Sequence, residues 1–426
     1  MKLWDKGTPI DEVMESFTVG NDREIDVRLA RWDVVGSLAH AEMLGSVGLI
    51  SNDDRLALIR ELGLLLASID ANGFVIDDDS EDVHSQVEKH LIEKLGNVGK
   101  KIHTGRSRND QVLVDIKLFL RHELRTLRSS TREAAMLFLD LAEKHENILM
   151  PGYTHYQIAM PSSFGLWFAG YAEALTEDMR VLDMAIDAAN ANPLGSAAGY
   201  GTQLPLDRDV TTRALNFDRV HVTSTFAQMS RGRTEKLAAV AIAQVASTVA
   251  RFAADVVHYA SQNFRFIKLP DAFTTGSSIM PHKKNPDVFE VLRARCNRLQ
   301  SVPTEIGFVL TNLPSGYHRD LQFIKDRIVP AIDELTLILR VLTHVAPHIQ
   351  PIDDILENGM YQHLFSVDRV DELVRSGVPF RDAYRQVAQE ISDGAIMRPL
   401  PSTNQNERSA LGSIGNVGIA DLRKRL

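Results

Sequence analysis

The chain has 426 residues, 47 Lys and Arg against 56 Asp and Glu, and a formal charge of -9. That acidity argues against nucleic acid as a partner, because phosphate binding needs a basic face that releases counterions. The single cysteine, Cys296, excludes an internal disulfide framework, and the opening MKLWDKGTPIDEV lacks the apolar run of a secretory signal, so a cytoplasmic protein is expected.

Residues 71 to 80 (ANGFVIDDDS) and 96 to 105 punctuate the first part of the chain, and a first helical domain is expected over 1–106. Residues 106 to 150 contain neither Gly nor Pro. Within them Val112, Ile116, Phe119, Leu120, Leu124 and Leu127 recur at three and four residues, the spacing of one helical face. The segment 151–165 reads as a connector, with His155 near a helix start, and 166–190 is again periodic. NPLGSAAGYGTQLP (192–205) holds three glycines that match neither dinucleotide nor P-loop spacing, and it reads as a loop.

Residues 233 to 269 also lack Gly and Pro, and LAAVAIAQVASTVARFAADVVHYA is apolar nearly all the way round. Such a helix needs neighbours on most sides, which predicts the interior of a long-helix bundle, one completed by other subunits. FRFIKL (264–269) alternates but is short, and it reads as a helix exit or loop. DVFEVLRARCNRLQSV and PAIDELTLILRVLTHVA supply further helices. No window approaches 18 uncharged apolar residues, so no membrane span is expected. The expected class is all-α, with a central long-helix bundle over 107–350 and a C-terminal helical domain over 351–426.

Polar stretches interrupt this pattern. In HTGRSRNDQ (103–111), Ser107 or Asn109 suits a helix cap, but Arg106 and Arg108 beside them fit an anion site. In GYTHYQ (152–157), a lone His155 is more often packed than catalytic, yet its ring suits proton transfer near neutrality. In GSSIMPHKKNPD (276–287), Asn285-Pro286-Asp287 reads as N-cap, first helical residue and first-turn acid. Ser277, Ser278, His282, Lys283 and Lys284 are left without a local explanation. No His, Cys or acidic cluster shows metal-ligand spacing. These rules reach a mostly helical protein with loops able to converge on an anionic small molecule.

GSSIMPHKKNPD resembles the signature loop of the aspartase/fumarase superfamily, all-α homotetramers that eliminate fumarate from succinyl-bearing substrates. With EDVHSQVEKHL, HTGRSRNDQV, MPGYTHYQ, NPLGSAAGYGT, DAFTTGSSIMP and GYHRDLQFIKD, in unbroken order over roughly residues 20 to 390, the chain is similar to the argininosuccinate lyases. The resemblance implies β-elimination of argininosuccinate to arginine and fumarate, the last step of arginine biosynthesis, without cofactor or metal. It assigns Ser277 as base on a mobile loop, Lys283 to the carboxylate and His155, oriented by Glu290, to proton transfer. It assigns substrate contacts to Asn109, Thr154, Asn285, Tyr317, Gln322 and Lys325, with Ser107, Arg108 and His84 lining the site. It further implies a homotetramer in which three subunits complete each site.

The chain departs from that pattern in places. Leu3-Trp4-Asp5-Lys6-Gly7 replaces the family's Trp-Gly-Gly-Arg-Phe, Asp22 falls where the family binds substrate through Ser, and His282 replaces a common Gln. These changes leave the proton-transfer set intact but bear on the grip at the amino-acid end, so a modified argininosuccinate is an open alternative. Adenylosuccinate lyase, which shares GSS-x-MPHK, is the other, with HTGRSRNDQV and the Tyr317 to Lys325 segment against it. A non-catalytic, crystallin-like role is disfavoured by the retained Ser277, His155, Lys283 and Glu290.

Overall fold

The computed structural model describes residues 11–77, 80–397 and 408–426; the departure at Leu3 to Gly7 lies outside them. The chain divides into two compact units, each assembled from three separated segments. Unit one takes the residues up to Arg128, Arg180–Gln244 and Arg298–Leu335; unit two takes Ser129–Met179, Val245–Asn297 and the residues from Thr336 onward. Long helices carry the chain from one unit's segments into the other's.

In unit one a helix over Glu12–Val19 precedes a short helix α1 (Asp22–Asp26), followed by α2 (Ala30–Ser46), α3 (Asn52–Asn72) and α4 (Val83–Leu95). A capping box starts α3: the Ser51 hydroxyl accepts from the Asp54 N-H at 3.1 Å, and the Asp54 carboxylate accepts from the Ser51 N-H at 3.3 Å. Helix α2 is buried on most sides, at Ala30, Val34, Ala39, Ala41 and Leu44 as well as at Asp33, Ser37 and His40. Helix α5 (Arg108–Lys144) has 37 residues, about 55 Å at 1.5 Å per residue. The predicted face from Val112 to Leu127 is buried throughout, and each such Leu or Phe contributes about 1.5–3 kcal/mol relative to exposure. Ala39, Val114, Leu118, Leu194, Leu215 and Phe217 form one core cluster of this unit.

Unit two contains the strongest departure from expectation. The connector after residue 148 is an antiparallel hairpin, β1 (Leu149–Thr154) with β2 (Gln157–Ser163), and His155 lies in its turn rather than near a helix start. His155 and Tyr156 both have positive φ, 54° and 57°, the backbone of a two-residue type I′ turn. Neither is the Gly or Asn such a turn favours, so the sequence hid it. FRFIKL likewise includes a short strand, β3 (Ile267–Lys268), paired antiparallel with β4 (Gln350–Pro351).

Helices α6 (Phe164–Ala189) and α7 (Arg233–Tyr259) carry the aromatic core of unit two. Trp167 stacks on Phe252 at 5.2 Å between ring centroids, and Phe138 meets Phe252 at 4.7 Å. The Trp167 Nε1-H and the Tyr171 hydroxyl donate to the Asp255 carboxylate at 3.0 and 2.6 Å, which satisfies its buried charge. Helix α8 (Asp287–Leu299) buries Cys296 completely, and α9 (Lys325–Val345) ends in this unit. Contrary to the sequence expectation, the stretch Ser224–Tyr259 does hold a window apolar enough for a bilayer by length and composition. Its alanines raise the hydropathy, but 61% of that window is buried within the protein, as in a core helix.

Candidate active site

Residues far apart in the sequence converge on a cavity of about 350 Å³ in unit one. His84, Arg108, Asn109, Tyr317, Gln322 and Lys325, six of the positions singled out in the sequence, line it. Asp22, Asp26, Asp82, His103, Arg231 and Arg319 line it as well.

The start of α5 is built to present Arg108 and Asn109. The Ser107 hydroxyl accepts from the Asn109 N-H at 3.3 Å, and Asp110 accepts from the Ser107 N-H at 2.9 Å, so Ser107 is the N-cap. Asp110 also accepts from the N-H groups of Gly195 and Ala197, at 3.0 and 2.8 Å. This pins the glycine loop, whose Gly195, Gly199 and Gly201 all have positive φ; the glycines serve a chain path closed to most side chains. Burial pushes the Asp110 carboxyl up to about 6, opposed by those backbone donors and by Arg106. Arg108 ion-pairs with Asp82 at 3.5 Å and donates to the Ser85 hydroxyl at 3.2 Å.

A buried ionic network supports His84. Its Nδ1 lies 2.9 Å from Asp33 Oδ1 and 3.3 Å from Asp115 Oδ2, so Nδ1 is the protonated nitrogen facing two acceptors. Gln111 Nε2 donates to the same Asp33 oxygen at 2.7 Å. Burial would raise the Asp33 carboxyl, but the hydrogen bond and charge of His84, with Arg106, hold it below the ordinary range. Burial and the charge of Asp33 push the Asp115 carboxyl far up. Among the described residues, Asp33, His84 and Asp115 are the group with donors close enough to hold a metal, within 4.8 Å of one another. The Arg106 guanidinium lowers both carboxyls through its charge, against the effect of burial. His103 is pushed down to about 4 by burial and by Arg106 and Arg108, and it lines the cavity as a neutral ring.

At the other end of the cavity, Lys325 lies 2.5 Å from Asp26 and 2.9 Å from Asp22. Gln322 donates to the carbonyls of Thr18 and Val19 at 2.9 and 3.2 Å, and Arg319 ion-pairs with Glu81 at 3.2 Å.

The remaining singled-out residues lie in unit two. Ser277 is half-buried, and its Oγ accepts from the N-H groups of Ile279 and Met280 at 3.3 and 3.1 Å. The loop from Thr275 to Asn285 is closed at its neck by two backbone hydrogen bonds between those residues, at 3.1 and 2.8 Å. Asn285 Nδ2 donates to the Gly276 carbonyl at 3.3 Å, and Thr275 donates to the Asp287 carboxylate. The Pro286 carbonyl takes the first N-H groups of α8, so Pro286 and not Asn285 sits at the cap. Asn285 therefore braces the loop. Lys283 and Glu290 are exposed, as are Thr154 and His155. His155 lines a second cavity of about 400 Å³ with Tyr153, Tyr156, Asp255 and His258. His282 and Lys284 line a third, of about 990 Å³.

Asp26, Asp33, Asp115 and Arg231 are site or support residues that motif reading passed over. The sequence signal for Asp33 and Asp115 was a charge inside an apolar helical run, RWDVV and VLVDIKL; Arg231, in the turn SRGR, gave none.

An all-α body with this cavity defines a class, and comparison with known proteins supplies its members. The family model described as Lyase matches residues 5–301. The argininosuccinate lyase of Phocaeicola vulgatus is 50% identical over 416 residues, covering 98% of this chain and 92% of that protein. That of Stenotrophomonas maltophilia is 40% identical over 425 residues, covering 99% and 98%. A crystal structure of EDDS lyase with formate superposes with a TM-score of 0.81 at 22% identity, covering 98% of this chain and 90% of that one, and shows the shared fold. The chain belongs to the argininosuccinate lyase family.

Proposed function

We infer that the protein cleaves argininosuccinate to arginine and fumarate by β-elimination. The observation that carries this reading is the convergence of His84, Arg108, Asn109, Tyr317, Gln322 and Lys325 on one cavity, within a chain 50% identical to an argininosuccinate lyase. A role in arginine biosynthesis, and a cytoplasmic one given the single cysteine, goes with it.

The chemistry sets the demands. The proton to be removed lies on carbon beside a carboxylate and is very weakly acidic. Charge moves onto that carboxylate as the C-H bond breaks, and cations and N-H donors must meet it there. Lys283 is the proposed cation. Ser277, on a loop whose Oγ is already held by two N-H groups, is the proposed base; His155, oriented by Glu290, serves the departing guanidino nitrogen. Arg108, Asn109 and Gln322 hold the carboxylates of the substrate.

The exposure of Lys283, His155 and Glu290, with Ser277 half-buried on its loop, supports an assembly in which other copies complete each site, a homotetramer in our reading. Exposed apolar side chains at Met184, Val240 and Val291, each on a long helix, support the same assembly.

The test is fumarate release, followed at its absorbance, with argininosuccinate, its N-acylated forms and adenylosuccinate. Turnover of argininosuccinate is expected; turnover of adenylosuccinate alone would sink the reading.

A further inference from the structure

The end of the unit-one cavity around Lys325 carries more negative charge than its own cations balance. Asp22 and Asp26 lie one turn apart on α1, and both reach Lys325 Nζ. Arg231, the other cation there, is matched by Glu235 at 2.9 Å, and that pair is almost fully buried. Two carboxylates facing one ammonium leave one charge over. Asp26 is 2% exposed and takes a hydrogen bond from Lys325, so it is the saturated partner. Asp22 lines the cavity, and its buried Oδ1, although 2.9 Å from Lys325, has no well-directed hydrogen bond among the described residues.

The geometry points to Asp22 as a specificity residue that accepts the free α-ammonium of the substrate's amino-acid end, next to Lys325, which takes the α-carboxylate. This rests on the reaction proposed above and names which form of the substrate the site takes. A carboxylate and an ammonium side by side match a zwitterion. Placing the substrate's ammonium on Asp22 gives that carboxylate a cationic partner of its own. Burial pushes the Asp22 carboxyl up to about 6, against the pull of Lys325, as expected of a carboxylate still short of a cation. An N-acyl group would replace the ammonium by a neutral amide and leave Asp22 without its partner, which buried sites discriminate against strongly.

The experiment compares kcat/KM for argininosuccinate and N-acetylargininosuccinate, read as fumarate release, in the wild-type protein and in Asp22→Asn and Asp22→Ser. The wild-type protein is expected to prefer the free amine by about a hundredfold or more. In both variants that ratio should fall at least tenfold, the fall carried by KM for the free amine while kcat changes little. A wild-type ratio near one, or variants that lose both substrates by the same factor, would overturn the assignment while leaving the proposed reaction in place. Release of fumarate from neither substrate by the wild-type protein would instead refute the reaction, and the assignment with it.

Discussion

The two units hold their polar residues in opposite ways. In unit one the cavity residues are already fixed: Arg108 between Asp82 and Ser85, Gln322 on two carbonyls, His84 between two buried carboxylates. In unit two the residues assigned to chemistry are more open, half-buried Ser277 and exposed Lys283 on a loop closed at its neck and held by Lys284 to Asp271, and exposed His155 in a hairpin turn. The unit-one geometry is thus set without a ligand, whereas the groups proposed for proton transfer sit where, in the proposed assembly, closure or a neighbouring copy can bring them up. A preorganised pole spends folding energy on rigidity; an exposed pole keeps its freedom.

Substitutions should therefore fail differently in the two regions. Ser277→Ala should fold normally and lose about a thousandfold in kcat, about 4 kcal/mol of transition-state stabilisation. Fumarate release beside an unchanged unfolding curve checks this, and a near-normal rate would remove Ser277 from the mechanism. Asp33→Ala should do the reverse, costing about 3 kcal/mol or more of stability, because His84 and Arg106 lose their buried counter-charge. Denaturant unfolding measures it, and a loss under 1 kcal/mol would mean the network is slack. Lys283→Ala, on the exposed side, should cut kcat about a hundredfold with little change in stability.

The pH dependence separates the regions further. The Asp22 carboxyl is raised by burial from 3.8 to about 6, so between those values the folded state holds a proton that the unfolded chain releases. Its contribution to stability therefore declines as pH rises from about 4 to 6 and is level above that. Asp22→Asn removes the decline, so its thermal midpoint should gain on the wild-type value across that window; parallel curves would contradict the buried charge. The smallest effect belongs to the hairpin. Tyr156→Gly relieves a positive φ and should stabilise the protein by up to about 1 kcal/mol, and a loss would show that the ring contact of Tyr156 with His258 matters more.

Much of this was legible before any coordinates. Helices α5 and α7 followed from runs without Gly or Pro, and α6 from its periodicity, because long periodic segments leave local propensity little room to mislead. The hairpin at His155 was not legible: its turn uses His-Tyr where Asn-Gly would have signalled it, and tertiary packing overrides the local preference. The convergence of His84, Asn109 and Lys325 followed from ordered motifs. Their supports, Asp33 and Asp115, looked like isolated charges in apolar helices, since a partner, His84, that lies 51 and 31 positions away leaves no trace in local spacing. Asn285 showed two uses in the sequence, cap and ligand, and it turned out to brace the loop neck, a contact set by where the chain returns.

The central claim is that binding and chemistry reside on different units and meet across copies of the chain. It is tested most directly by mixing. Ser277→Ala and Arg108→Ala, each inactive alone, are dissociated, combined and allowed to reassemble. Sites that pair an intact unit-one cavity from one copy with an intact Ser277 loop from another should restore a measurable fraction of fumarate release. No recovery, with mixed assemblies verified by mass, would mean that each chain supplies its own complete site.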